Sequence, residues 1–464
     1  MPAKPSSLVA SMARYFTFPP MRRGSPKGGG GAAFLARERK LHVAPLQSGA
    51  SIHPRLRLAP PHRGEGTRLA RLACLGGLLA SLALASPAHA DSYLNFVTAL
   101  WPRAEKAGIS RETFDAAFAG LGVDPKVVSL AGTQPEFNQT IRAYVESRLS
   151  ADRIAQGKAM AQRWKSWLDK AEERYGVDRY VILAIWSLES NYGASPGNSD
   201  TIRSLTTLAC CTAKRPELFR DELIDALRIL QEHDITPRGM TGSWAGALGQ
   251  VQFMPSSFLK YAVDMDGDGK RDIWNEEPDV IGSIANYLKL HDWDAGKRWG
   301  YEVKLPARFD FTAINAHDGG PVAAWAKLGV ARVDGKPLPE DGKAWLFLPA
   351  GAKGPAFLTF QNYWAIKTYN ISDSYTLSVG LLADRIRGIA SLQGRWPAQE
   401  TTLNRAQITA MQKKLKALGY PIETIDGKIG PAARAALRTW QAKAGLVADG
   451  YPTPAVLQKL SATP

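Results

Sequence analysis

The chain is expected to fold as a mostly helical α+β protein with a small β subdomain and a separate C-terminal bundle of three helices. Three observations predict this. Apolar residues recur at helical spacing through most of residues 91–300 and again from Asn362 onward. Short β-branched and aromatic runs between Gly/Pro loops cluster in residues 300–360. Pro397–Thr402 reads as a linker, and residues 403–460 carry their own helix starts and stops.

A chain of 464 residues has room for about three domains with sizeable cores. Its net charge of +15 invites a nucleic-acid reading, but the distribution of charge argues against one. Residues 1–90 hold 13 Lys/Arg against 2 Asp/Glu, and the rest of the chain holds 45 against 41. No nucleic-acid partner is expected. Three cysteines, Cys74, Cys210 and Cys211, are too few for a disulfide framework or a cysteine-based zinc site.

Residues 1–67 are rich in Gly, Pro, Arg and Ser without a sustained period, which reads as disorder or an over-extended start. Arg68–Ala90 has a basic front, an apolar stretch from Leu72 to Ala85 and an Ala88-His89-Ala90 end, the pattern of a secretory signal peptide. Fourteen apolar residues fall short of the roughly 20 that span a bilayer, so no stable membrane span is expected. Cys74 lies at the front of the apolar stretch, out of place for lipidation. The mature chain is therefore expected to be exported and soluble in the periplasm.

Helices are expected at Asp91–Ala107 and Ser110–Gly120, with one or two longer ones across Thr140–Tyr175. The next helix, within Val177–Gly193 (VDRYVILAIWSLESNYG), has Asp178 as a natural N-cap and a single carboxylate, Glu189, just before its polar stop. Glu189 shares a face with Ile182, Ile185 and Trp186. Spacing alone leaves two readings. A helix-end carboxylate can simply reach solvent; one drawn under the apolar face loses water, and its pKa rises toward that of a general acid.

Asp200–Ala209 and Pro216–Glu232 read as helices with Cys210-Cys211 between them; this pair can bridge in an oxidising compartment. In GSWAGALGQVQFMPSSF (Gly242–Phe258), glycines allow close backbone approach to a ligand, and Ser243, Gln250 and Gln252 offer neutral polar groups. Beside Trp and Phe these suit a sugar; the alternative is a plain Gly-rich turn before a helix.

Asp264–Asn275 (DMDGDGKRDIWN) follows a calcium-loop pattern, with Asp264, Asp266, Asp268 and Asp272 at positions 1, 3, 5 and 9. Gly269 stands at position 6, and Lys270 offers its carbonyl at 7. Asn275 stands where a bidentate Glu belongs, leaving Glu276, Glu277 or Asp279 to complete the shell. Three alternating carboxylates repel one another without a cation, which favours a structural Ca2+ over a solvated turn. Asp279 also reads as the N-cap of a helix Val280–His291.

Tyr301–Leu305, Trp345–Leu348 and Phe357–Phe360 are strand candidates, and Asn362–Ile386 turns helical again. In that stretch Tyr369 and Asn370 precede a polar turn and are candidate cleft residues. Beyond the linker, Asn404–Leu418 is amphipathic through Ile408, Met411, Leu415 and Leu418, and helices Ala432–Ala444 and Thr453–Leu460 follow Asp-Gly turns. This unit has no acid/base constellation, so binding is its expected task.

Glu189-Ser190-Asn191-Tyr192-Gly193, the Gly242–Phe258 segment, the aspartate-rich loop and Asn362–Tyr375, in that order, resemble the membrane-bound lytic transglycosylase B family across roughly Tyr93–Gln393. Residues 403–460 resemble the type 1 peptidoglycan-binding domain through Gly419-Tyr420, Asp426-Gly427, Gly430 and Trp440-Gln441, with Trp440 where that family usually has Phe. The resemblance implies residues 91–396 as a lysozyme-like catalytic region and peptidoglycan glycan strands as the partner. It implies lytic exo/endo-transglycosylase activity: cleavage of the MurNAc–GlcNAc β-1,4 bond without water, leaving a 1,6-anhydro end. Glu189 falls on the family's single acid/base, and no cofactor is implied for the chemistry. Ser243, Gln252, Arg215, Tyr287, Tyr369, Asn370 and Tyr375 fall at or near its sugar-cleft positions. It also favours Asp279 as the last calcium ligand, although one extra residue separates Trp274 from Asp279. Two competing readings are a hydrolysing muramidase of the same fold and a non-catalytic wall-binding scaffold.

Overall fold

The computed structural model describes residues 87–132 and 139–464. The expected disordered segment and the signal peptide as far as Ser86 lie outside the described residues.

The chain opens with α1 (Pro87–Lys106), α2 (Arg111–Phe118), α3 (Pro125–Gly132), α4 (Ile141–Arg148), α5 (Ala151–Arg163) and α6 (Lys165–Tyr175). Where one or two long helices were expected over Thr140–Tyr175, three form. Thr140 and Ser150 each accept a backbone N–H three residues on, so capping restarts the helix after Leu149. The next helix, α7 (Arg179–Ser190), is capped by Asp178, whose carboxylate accepts the Tyr180 N–H. It is followed by β1 (Ser199–Asp200), α8 (Thr201–Cys211), α9 (Pro216–Gln231), β2 (Thr241–Gly242), α10 (Pro255–Tyr261) and α11 (Glu277–Leu290).

Two boundaries differ from expectation. Cys210 and Cys211 end α8 rather than separating two helices, and they are disulfide-bonded to each other. Helix α11 starts at Glu277, because Pro278 suits the first turn, so Asp279 lies inside that turn and Glu276 is the N-cap.

The β subdomain runs β3 (Gly300–Lys304), α12 (Ala313–His317), β4 (Gly320–Pro321), α13 (Val322–Lys327), β5 (Ala331–Arg332), β6 (Lys343–Phe347) and β7 (Ala356–Thr359). All pairings are antiparallel, in the order β4-β6-β7-β3-β5, with Leu358 opposite both Tyr301 and Leu346. The sheet packs over Val303, Ile314, Val322, Trp325 and Leu358. Helices α12 and α13 were not anticipated; Trp325 on α13 is fully buried and donates Nε1–H to the Ala344 carbonyl at 3.1 Å.

The expected helix Asn362–Ile386 is two helices, α14 (Gln361–Tyr369) and α15 (Asp373–Arg387), parted by Asn370–Ser372. The C-terminal module comprises α16 (Arg405–Ala417), α17 (Pro431–Lys443) and α18 (Pro454–Ser461) around Met411, Leu415, Leu437, Trp440 and Leu460. Its two Asp-Gly turns are held alike. Buried Gln412 accepts the Gly427 N–H at 2.8 Å and donates to Asp426, while buried Gln441 accepts the Gly450 N–H at 2.7 Å and donates to Asp449.

Helix α7 lies at the centre of the main core, against α5, α6, α11 and α15. Every residue from Val181 to Ser190 is buried, not only the face carrying Ile182, Ile185 and Trp186. A helix apolar all round belongs inside a large core, and its one carboxylate comes with it.

Candidate active site

Glu189 occupies the last turn of α7 and is 4% exposed. Directly after it the chain reverses through three left-handed residues, Asn191, Tyr192 and Gly193, with φ of 53°, 56° and 81°. A Cβ on Gly193 would lie 2.4 Å from Gln250 Oε1, so both its backbone and its neighbour demand glycine. Gln250 accepts Trp186 Nε1–H at 2.9 Å and donates to the Trp274 carbonyl at 3.0 Å, tying α7 to the aspartate-rich loop.

The Gly242–Phe258 segment folds back on itself. The Ser243 N–H donates to the Ala247 carbonyl at 2.8 Å and the Leu248 N–H to the Phe253 carbonyl at 2.7 Å. Ser243, 5% exposed, accepts the Ala247 N–H on its hydroxyl. Gln252, 2% exposed with φ of 55°, donates Nε2–H to the carbonyls of Pro196 and Gly249, each at 2.7 Å. The side chains picked out for a sugar therefore also brace the loop that carries them.

Burial pushes the Glu189 carboxyl up from 4.5 to about 7, and a hydrogen bond from Tyr375 partly offsets it. That bond runs from Tyr375 OH to Glu189 Oε1 at 2.6 Å, from the first turn of α15. Tyr287 on α11 packs 4.7 Å from the Tyr369 ring, with Phe253 5.6 and 5.7 Å from the two. The Tyr287 hydroxyl donates to the Thr368 carbonyl at 2.8 Å and that of Tyr369 to the Val251 carbonyl at 2.7 Å. The charge of Glu189 adds to the upward shift of Tyr287, placing this aromatic group beside the acid. Asn370 accepts the Ser372 N–H at 3.2 Å where α14 gives way to α15.

Glu189, Tyr287, Tyr369 and Tyr375 thus converge, with Gln252, Asn370 and Ser243 buried in the adjoining loops. Arg215 stands apart from this pattern. It is exposed and left-handed at the N-cap of α9. One side chain that periodicity did not flag also attends the acid's helix. Arg153 on α5 donates to the Ser187 carbonyl and hydroxyl, both at 2.8 Å.

The Tyr375 bond lowers the Glu189 pKa. Tyr375→Phe is therefore expected to move the carboxyl further above about 7, shifting the corresponding limb of the pH–rate profile upward and reducing kcat roughly tenfold. A profile unmoved by the substitution would remove Tyr375 from this role.

In the aspartate-rich loop, one carboxylate oxygen from each of Asp264, Asp266 and Asp268 lies within 4.8 Å of the others. Asp264 is oriented by the Gly267 and Gly269 N–H groups at 2.6 and 2.9 Å, and Asp268 by the Lys270 N–H at 2.8 Å. Gly267 and Gly269 are left-handed, with φ of 85° and 95°. The Asp272 carboxylate takes the N–H groups of Trp274 and Asn275 and the Asn275 amide.

Asp279 is fully buried behind the loop, its two oxygens accepting the Met265 and Asp272 N–H groups at 2.7 and 2.8 Å. It clasps both ends of the loop. Burial raises it to about 6, and the charges of Asp266 and Asp264 add to the shift. Glu276, one position before α11, faces the aspartates. Its Oε2 is buried without a partner, and burial together with Asp266, Asp268 and Asp272 pushes it to about 7. An orphaned carboxylate oxygen beside three clustered carboxylates fits a hard, oxygen-seeking cation.

Residues 92–384 match the transglycosylase SLT domain family, and residues 404–460 match the peptidoglycan binding domain family. The chain is 29% identical over 253 residues to membrane-bound lytic murein transglycosylase B of Escherichia coli strain K12, a match spanning 52% of this chain and 66% of that relative. Among solved structures, it is similar to SltB3 from Pseudomonas aeruginosa in complex with NAG-anhNAM-pentapeptide. The TM-score is 0.75 with 44% identity, covering 80% of this chain and 99% of that one. The Escherichia coli lytic transglycosylase Slt35 in complex with calcium aligns with a TM-score of 0.53 and 26% identity over 65% of this chain and 94% of that one.

Proposed function

The chain belongs to the transglycosylase SLT domain family, and from that premise we propose that it cleaves the MurNAc–GlcNAc β-1,4 bond of peptidoglycan without water, leaving 1,6-anhydroMurNAc ends. The observation that carries this reading is one buried carboxyl, Glu189, raised to about 7 by burial and hydrogen-bonded by Tyr375. Two-carboxylate glycosidases need a nucleophile or base about 5–10 Å from the acid. A substrate that supplies its own nucleophile needs only one acid/base.

Protonated Glu189 gives its proton to the glycosidic oxygen as the C1–O bond breaks, and the GlcNAc hydroxyl departs. The resulting carboxylate accepts the proton of the MurNAc 6-hydroxyl as that oxygen bonds to C1, which restores the acid. A pKa near 7 keeps both protonation states accessible at neutral pH, as a group serving in turn as acid and base requires. The internal hydroxyl competes with water because it is already positioned. Ser243, Gln252, Tyr287, Tyr369, Asn370 and Tyr375 would line the glycan groove around Glu189. The complex of SltB3 with an anhydro-muropeptide supports this reading.

Purified sacculi test it directly. The wild-type chain is expected to release soluble muropeptides from them; failure to release any would sink the proposal.

The same reading extends to the remaining parts of the chain. Residues 403–460 would bind the wall, and Arg68–Ala90 would direct export to the periplasm. No helix among the described residues is long and apolar enough to cross a membrane. Asp264, Asp266, Asp268 and Glu276, with the Lys270 carbonyl, would hold a structural Ca2+ that braces the loop carrying Trp274 against Gln250. Calcium that binds only the native state raises stability by about 2.7 kcal/mol at a hundredfold excess over Kd. Thermal melts should therefore shift upward in millimolar calcium. Glu276→Gln is expected to abolish most of that shift, whereas Asp279→Asn lowers Tm with and without calcium. Equal calcium shifts in wild type and Glu276→Gln would return the last ligand to another residue.

A further inference from the structure

The C-terminal module does not simply hang from its linker. Arg438 Nε donates to Asn315 Oδ1 at 2.7 Å, and Asn315 Nδ2 donates to the Ala435 carbonyl at 3.2 Å. The Ala352 N–H donates to Asp449 Oδ2 at 3.0 Å. Both contacts are made to the β subdomain region. A third reaches further: Arg434 Nη2 on α17 lies 3.8 Å from Asp373 Oδ2, the first residue of α15. The two side chains are 15% and 20% exposed, so solvent screens the pair weakly. On its other oxygen, Asp373 receives Lys367 and, at 3.3 Å, the Tyr363 hydroxyl, both from α14.

Asp373 therefore anchors the first turn of α15 between α14 on one side and the module on the other. Two residues along that turn is Tyr375, whose hydroxyl is bonded to Glu189 at 2.6 Å. Ser372 caps the turn by accepting the Tyr375 N–H. Loss of Arg434 leaves a partly buried carboxylate with one cation where it had two, and the helix start is then free to relax around Lys367.

We infer that Arg434 is a positioning residue for the reaction: from the wall-binding module it pairs with Asp373, fixes the first turn of α15 and so holds Tyr375 on Glu189. This rests on the reading of Glu189 as the acid/base. The module then contributes to the chemical step as well as to wall attachment, because its docked face completes the support of the acid.

The test uses the full chain on short soluble glycan fragments, which the module need not capture, with cosedimentation on sacculi as a separate readout of wall binding. Arg434→Ala is expected to lower kcat about 5- to 10-fold, with KM and cosedimentation within about twofold of wild type. Arg434→Lys restores kcat to within about twofold. In a Tyr375→Phe background Arg434→Ala adds little further loss, since both act through one hydrogen bond. Asp373→Asn reproduces the loss, and it carries the same comparisons should Arg434→Ala fail to fold. An unchanged kcat, a loss confined to KM or cosedimentation, or losses that multiply with Tyr375→Phe would overturn the inference. A wild-type chain inert on both substrates would instead overturn the functional reading itself.

Discussion

Glu189→Gln is expected to lower kcat on peptidoglycan by about a thousandfold or more while the protein stays folded. A positioned general acid or base contributes roughly 10²- to 10⁴-fold, and here one carboxyl serves both steps, so no other group takes over when it is lost. The amide fits the same volume, and its oxygen can still accept the Tyr375 hydroxyl that Glu189 Oε1 accepts at 2.6 Å. Binding to sacculi should persist, since residues 404–460 match a peptidoglycan binding domain and their core is separate from that of α7. Muropeptide release, cosedimentation and melting measured on one preparation separate the effects. Retained muropeptide release in this variant would place the acid elsewhere.

The second large effect is on stability, and its sign follows from proton linkage. Burial raises the folded-state pKa of Glu189 from 4.5 to about 7, so the native protein holds this proton more tightly than the unfolded chain does. The contribution is fully present below about pH 4.5 and is lost as pH rises through about 7. The full span corresponds to about 3 kcal/mol, because each pKa unit is worth about 1.4 kcal/mol. Glu189→Gln is uncharged at every pH and escapes this loss. The variant should therefore match wild type near pH 4 and exceed its stability by about 3 kcal/mol at pH 8, read from denaturant unfolding. Asp279, Asp384 and Glu276 are also raised, but they titrate in both proteins, and the difference isolates Glu189. A pH-independent difference would mean that the carboxyl is not desolvated.

Local pattern made much of this site legible in the sequence. The ESNYG stop, the Gly-rich segment and the alternating aspartates are short stretches whose chemistry depends on neighbours in the chain, and each forms a distinct structure. What escaped depends on contacts between distant segments. Periodicity marked one buried face on α7, but only the packing of α5, α6, α11 and α15 around it buries every residue from Val181 to Ser190. Arg153 reads as an ordinary member of an amphipathic helix. The start of α11 also escaped: Pro278 begins it early enough to place Asp279 inside the first turn and leave Glu276 as the N-cap. The linker before residue 403 was legible. The docking of Arg434 onto Asp373 was not, since no spacing rule joins residues 61 positions apart.

The central claim is that one carboxyl and the substrate's own 6-hydroxyl suffice, with no water entering the product. Mass spectrometry of muropeptides released from sacculi in H2(18)O tests it most directly. Wild type is expected to form 1,6-anhydroMurNAc ends without the heavy isotope, and Glu189→Gln to form none. Reducing MurNAc ends carrying oxygen-18 would contradict it and make the protein a hydrolysing muramidase.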